Sequence, residues 1–176
     1  HSLRRPEFYD FLDQSDCVLR PHNLGDDKSG KGYCLLDFGR TSVAVINLSG
    51  KIYLEKMNAD CPFKCADELI GKAKQDGAKI IIVDFHAEAT SEKRALGLYL
   101  DGKVSAVFGT HTHVQTADEQ ILANGTGYIT DLGMTGPKDS ILGVKSEIII
   151  NRLKNNDLSK FEFSDSEGML CGCIFE

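Results

Sequence analysis

The sequence predicts an α/β fold: a mixed sheet, or two packed sheets, with helices outside. Two apolar runs carry the first half of that reading. Lys79-Ile80-Ile81-Ile82-Val83 and Val104-Ser105-Ala106-Val107-Phe108 each read as a parallel strand covered on both faces. The helix-like segment 91–100 lies between them. It completes a strand–helix–strand unit, whose right-handed crossover makes the two strands neighbours. Hairpin signals before and after this unit carry the second half, because they add antiparallel strands that a purely doubly-wound sheet lacks.

In chain order, residues 6–14 read as a short helix. Pro6 suits its first turn, and Phe8, Phe11 and Leu12 line one face. Residues 17–19 suggest a brief strand, and Arg20-Pro21-His22-Asn23-Leu24-Gly25 a turn in which His22 is a surface group. The charged, glycine-bearing stretch 26–32 is a loop. Segments 33–38 and 41–48, joined at Gly39-Arg40, predict an antiparallel hairpin. Residues 51–63 are irregular, and 66–75 form a helix with Gly77 placed to cap it in the left-handed region. After the central unit, 121–123 and 128–130 flank Asn124-Gly125-Thr126-Gly127 as a second hairpin. Residues 146–154 read as a helix capped by Ser146. Segments 161–163 and 169–175 read as a last hairpin, so the chain is one domain, 1–176.

Composition narrows the function classes. The 176 residues are 41% hydrophobic and 26% charged, an ordinary globular balance with a core of useful size. The net charge is −6, and no cluster of Lys and Arg is long enough to follow a phosphate backbone. A long nucleic acid is therefore not an expected partner. A small phosphorylated ligand is, because a metal supplies positive charge locally. No apolar run approaches the ~20 residues of a membrane span, and no signal peptide is evident. The expectation is a cytoplasmic protein with no membrane partner; homo-oligomerisation stays open. The six cysteines fit a reducing compartment. Cys61-Pro62-Phe63-Lys64-Cys65 and Cys171-Gly172-Cys173 do not have knuckle spacing, and alternation gives the second pair a packing role on one strand face. Gly133-Met134-Thr135-Gly136 lacks the following Lys-Ser/Thr of a phosphate loop.

The histidines carry the chemistry. His86 follows the first apolar run, and His111 and His113 follow the second. Both groups emerge at the carboxyl edge of neighbouring parallel strands, where open α/β sheets place their ligands. One loop histidine reads as a hydrogen-bonded surface group. Three at one sheet edge read as metal ligands, since neutral imidazole is the commonest nitrogen donor to transition metals. Asp84, two residues before His86, shares its strand face and can orient its ring. A metal-dependent amidohydrolase also uses His-x-His, but only about 60 residues follow His113, too few for a barrel of typically ~250.

Longer motifs resemble a known family. They are Asp84-Phe85-His86-Ala87-Glu88-Ala89-Thr90, Gly109-Thr110-His111-Thr112-His113-Val114-Gln115-Thr116-Ala117-Asp118-Glu119 and Thr130-Asp131-Leu132-Gly133-Met134-Thr135-Gly136-Pro137. With Arg20-Pro21, 43–48 and Ala66-Asp67-Glu68-Leu69, they resemble the YmdB-like family of calcineurin-like metallophosphoesterases, which includes 2′,3′-cyclic-nucleotide 2′-phosphodiesterases. The resemblance covers nearly the whole chain. It implies a four-layer α/β/β/α sandwich with two divalent metal ions, iron or manganese first, zinc or magnesium as alternatives. It implies His86, His111 and His113 as metal ligands, and a two-metal hydroxide opening the ring of a 2′,3′-cyclic nucleotide.

The start of the chain departs from that pattern. Such enzymes begin with a strand bearing a metal-binding Asp, then a Glu-Asn pair, then Gly-Asn-His. Aligned on the following helix, His1 matches that last histidine, which implies a proton donor to the leaving group. About a third of the expected protein, including the N-terminal strands, would then lie upstream, and the bridging carboxylate with it. Three neutral imidazoles alone cannot hold two divalent ions against their repulsion. The expectation is a phosphodiesterase in the complete form. The alternative is an inactive remnant that binds a metal or nucleotide, or regulates a partner.

Overall fold

The computed structural model describes residues 6–25 and 28–176. Its centre is a six-stranded sheet in the order β1-β2-β3-β4-β6-β5. The strands are β1 (Tyr33–Asp37), β2 (Ser42–Ser49), β3 (Ile80–His86), β4 (Ala106–Thr110), β5 (Gln120–Ile121) and β6 (Gly127–Ile129). β2, β3, β4 and β6 run parallel, and β1 and β5 add antiparallel edges. A second, two-stranded sheet pairs β7 (Gly136–Pro137) with β8 (Gly168–Met169). Flanking helices complete an α/β sandwich with two sheets, as the family resemblance implies.

Two helices pack on one face of the large sheet. α2 (Pro62–Gln75) and α3 (Thr90–Tyr99) send Ala66, Leu69, Ile70, Ala73 and Leu96 against Ala44, Ile46, Leu48, Val83, Phe85 and Val107. Alternation leaves Asn47, Ser49, Asp84, His86, Phe108 and Thr110 on the opposite face. The register sets them side by side: Asn47, Asp84 and Phe108 in one row, Ser49, His86 and Thr110 in the next. So the helix face holds the core, and the other face carries polar groups towards the carboxyl ends of the strands.

The amino-terminal helix is real but short, a 3₁₀ turn at Pro6–Phe8 leading into α1 (Tyr9–Gln14). Residues 17–19 form only a single bridge, Leu19 to Lys31. α2 starts at Pro62, four residues before the expected boundary, with the proline in its first turn. Gly77 does take the left-handed region, at φ 81°. α4 (Ser146–Asn155) is preceded by Lys145 as its cap, and no side chain caps it, so Ser146 is the first helical residue.

The expected last hairpin does not form. Phe163 bridges Val144, and β8 pairs with β7 instead. Residues 170–176 are outside any strand, so Cys171 and Cys173 are not on a strand face. All six cysteines are free thiols. Among the described residues, no helix is long and apolar enough to cross a membrane.

Candidate functional site

Four parallel strands end together, and the loops that follow them build one polar centre. β3 ends at His86 and β4 at Thr110. The backbone reverses sharply after β4: His111 has φ 110° and His113 φ 64°. These are left-handed values that a side-chain-bearing residue adopts only when its surroundings enforce them.

The enforcement comes from Asp131, just past β6. Its Oδ2 accepts the Thr112 backbone N–H at 3.0 Å, and its Oδ1 accepts that of Gly133 at 2.9 Å. Lys93 Nζ, from α3, lies 2.7 Å from the same Oδ2, and both side chains are buried. Burial pushes the Asp131 carboxyl up, but the Lys93 ammonium and the two N–H donors outweigh it and hold it below the ordinary carboxylate range. Glu92, the neighbour of Lys93, accepts the backbone N–H of Lys51 at 2.9 Å and of Ile52 at 3.2 Å. One helix start thus fixes both the loop after β2 and the histidine loop.

Two of the expected ligands meet. His86 Nε2 is 3.0 Å from His111 Nδ1, with the rings edge to face at 83°. His111 Nε2 is 2.7 Å from Glu88 Oε2. His86 Nδ1 faces Thr110 Oγ1 at 3.2 Å. Behind it, Asp84 accepts hydrogen bonds from Thr110 Oγ1 at 3.0 Å and from Asn47 Nδ2 at 2.6 Å. Burial raises the Asp84 carboxyl, against the pull of those two donors. Burial also lowers His86 to about 4, helped by repulsion from His111 and Lys93. A neutral imidazole at ordinary pH is the ligating form.

His113 is not part of that contact. It is exposed and lines a groove of about 300 Å³ with Val114, Met134, Leu142, Met169 and Lys138. A cavity of similar volume lies at the other end of the strands, beside Lys79 and Val104, with no histidine in its lining. His1 lies outside the described residues.

The described donors do not assemble a two-metal site. Among the described residues, no group of three or more His, Cys, Asp and Glu side chains is placed to hold a metal. Two imidazole nitrogens converge, His86 Nε2 and His111 Nδ1, and among the described residues the one carboxylate touching them, Glu88, is bonded to the far side of His111. The buried Asn47 Oδ1 has no hydrogen-bond partner among the described residues. That leaves an acceptor unsatisfied beside the Asp84 carboxylate, in a place where a polar neighbour is required. Sequence reading singled out His86, His111, His113 and Asp84, of which the structure brings His86 and His111 into contact. It missed Glu88, Thr110, Asn47 and the Lys93–Asp131 pair. Strand register alone signals Thr110, which sits opposite His86.

The chain is similar to known proteins. The family described as YmdB-like protein matches residues 1–176. A Bacillus subtilis (strain 168) protein named 2′,3′-cyclic-nucleotide 2′-phosphodiesterase is 47% identical over 176 residues, all of this chain and 66% of its own length. A crystal structure of a hypothetical protein from Thermus thermophilus superposes with TM-score 0.83 at 39% identity, over 94% of this chain and 63% of that one. A structure titled as a novel phosphatase from Mycoplasma pneumoniae gives TM-score 0.80 at 35% identity, over 92% and 58%. The chain therefore spans less than two thirds of each of these proteins.

Proposed function

This chain belongs to the YmdB-like family of calcineurin-like metallophosphoesterases, and from that membership we propose a two-part reading. In a protein of its relatives' full length, these residues supply His86, His111 and His113 to a metal-dependent phosphodiesterase acting on 2′,3′-cyclic nucleotides. By themselves the 176 residues are a metal- and nucleotide-binding module without turnover. The carrying observation is the 3.0 Å approach of His86 Nε2 to His111 Nδ1, with no third ligand assembled beside them among the described residues.

Charge decides between one ion and two. Two divalent ions about 4 Å apart at an effective dielectric near 20 repel by about four times the ~4 kcal/mol of a unit pair. Neutral imidazoles bring no negative charge against that sum, and the nearest carboxylate among the described residues, Glu88, is a single charge on the far side of His111. A pair of bound ions in this enzyme class supplies an activated hydroxide and positive charge for the phosphoryl oxygens. What this chain's own residues do is more limited. His86 and His111 present nitrogen donors. Asp131 and Lys93 hold the loop that carries His111. The apolar groove beside His113 offers Met134, Met169 and Leu142 to the organic part of a phosphoester, with Lys138 for its charge.

The test is a metal titration of the 176-residue chain with Mn²⁺, followed by an assay on 2′,3′-cyclic AMP. One equivalent, with nucleotide binding and no hydrolysis, is the expected result. Two equivalents with turnover would replace the module reading by the phosphodiesterase itself. Binding of neither metal nor nucleotide would remove the module reading.

A further inference from the structure

We infer that the cavity at the amino-terminal ends of β3 and β4 binds a small phosphate-bearing anion, at a second site remote from the histidines. The cavity holds about 300 Å³, and its lining includes Lys74, Lys79, Lys103, Ile81, Val104 and Ser105. β3 separates it from the histidine centre. The strand runs from Ile80, between two lining residues, to His86, and its seven residues span roughly 20 Å. Open α/β sheets place ligands at their other, carboxyl edge, so the charges alone make the case for a site here.

Three lysines from three segments line one concavity, in a chain whose net charge is −6. Lys74 is in the last turn of α2, Lys79 precedes β3 and Lys103 precedes β4. The acids within two residues of the lining have other donors. Asp76 takes Lys72 Nζ at 2.8 Å and the Tyr33 hydroxyl at 2.7 Å. Asp101 accepts the backbone N–H of Asn124 at 2.9 Å and of Thr126 at 3.3 Å. Asp67 reaches Lys103 Nζ at 3.3 Å. Lys74 and Lys79 have no ion-pair partner among the described residues. Three lysines against one carboxylate leave two positive charges uncompensated. The helix dipole accounts for a lysine in the last turn of a helix. It does not account for Lys79 and Lys103, which precede strands, whose net dipoles are small.

The donors suit phosphate. Lys103 Nζ is held 3.7 Å from the centroid of the Tyr99 ring, so its ammonium is placed rather than free. Ser105 Oγ accepts the Ile81 N–H at 3.2 Å, which leaves the hydroxyl proton to donate. One phosphate group brings about two negative charges and three acceptor oxygens. That matches the surplus charge, and lysine meets phosphate as a point charge.

This site is independent of the metal reading, and its test needs no metal. Backbone ¹⁵N–¹H correlation spectra of the metal-free 176-residue chain are recorded as inorganic pyrophosphate is added, against sodium chloride of equal ionic strength. Saturable shifts are expected at 79–81 and 102–105. Lys74→Gln and Lys79→Gln together should raise the Kd about 10-fold or more. Lys138→Gln, in the groove beside His113, should leave it unchanged. Lys74 and Lys79 are exposed, so the double variant keeps its fold, and its spectrum away from the cavity checks this. Shifts that sodium chloride reproduces, shifts confined to the groove at 138–142, or a wild-type Kd in the double variant would overturn the inference. Tighter binding of citrate than of pyrophosphate would overturn the assignment to phosphate.

Discussion

Lys93 Nζ lies 2.7 Å from Asp131 Oδ2, and neither side chain keeps appreciable contact with solvent. Through Asp131 this pair reaches the backbone of Thr112, between two histidines in left-handed conformations. The ion pair therefore ties a helix to the loop that carries His111 and His113. Removing one partner leaves the other as a buried charge without compensation, which typically costs about 3–5 kcal/mol. Asp131→Ala is expected to lower unfolding free energy by that amount in urea denaturation, with a broadened His111 signal in the surviving native state.

The two buried carboxylates respond to acid with opposite signs. Asp131 is held below the ordinary carboxylate range in the folded chain. The unfolded chain thus takes up its proton at higher pH, and the stability Asp131 contributes is complete above about pH 4 and lost as pH falls further. Asp84 is raised by burial, so ionising it costs folded-state stability at neutral pH, and that cost is relieved on acidification. Asp84→Asn should therefore hold or raise the urea midpoint at pH 7, and Asp131→Asn should lower it. Below pH 4 the Asp131→Asn curve should fall less steeply than wild type.

The strand–helix–strand unit was legible because its signals are local. Runs at 79–83 and 104–108 contain the starts of β3 and β4, and both histidine groups do lie at the carboxyl edge. Alternation also put Asp84 on the His86 face. What escaped is what joins distant segments. Lys93 and Asp131 are 38 positions apart and look like any charged pair until the fold brings them together. The missing final hairpin has a similar cause. Phe161 and Phe163 alternate as a strand would, yet both stay exposed. Alternation marks a face that wants a partner without naming the partner.

Gly109 is the tightest point beneath the site. A Cβ built there would sit 1.8 Å from the Thr130 carbonyl oxygen and 2.9 Å from Lys93 Cδ. The first neighbour is backbone and cannot rotate away, and the second is held by its ion pair. Gly109→Ala must separate β4 from the segment after β6, and overpacking of this kind costs about 1–3 kcal/mol or more. A thermal melt of the variant should show the loss. Ala at Gly39, where nothing lies within 4 Å but φ is 79°, should cost only the strain of its left-handed backbone.

His111 separates stability from activity. Its φ of 110° is a conformation that glycine adopts freely and other residues adopt at a cost of about 1–3 kcal/mol. Its ring returns part of that through His86 and Glu88. In His111→Ala the strain stays and both contacts go. In His111→Gly the contacts go and the strain goes too. His111→Gly should therefore be more stable than His111→Ala by about 1 kcal/mol or more in urea. In a chain of the relatives' full length, both variants, and His113→Ala with them, should lose hydrolysis of a 2′,3′-cyclic nucleotide while remaining folded. Turnover retained by any of the three would remove that imidazole from the metal site.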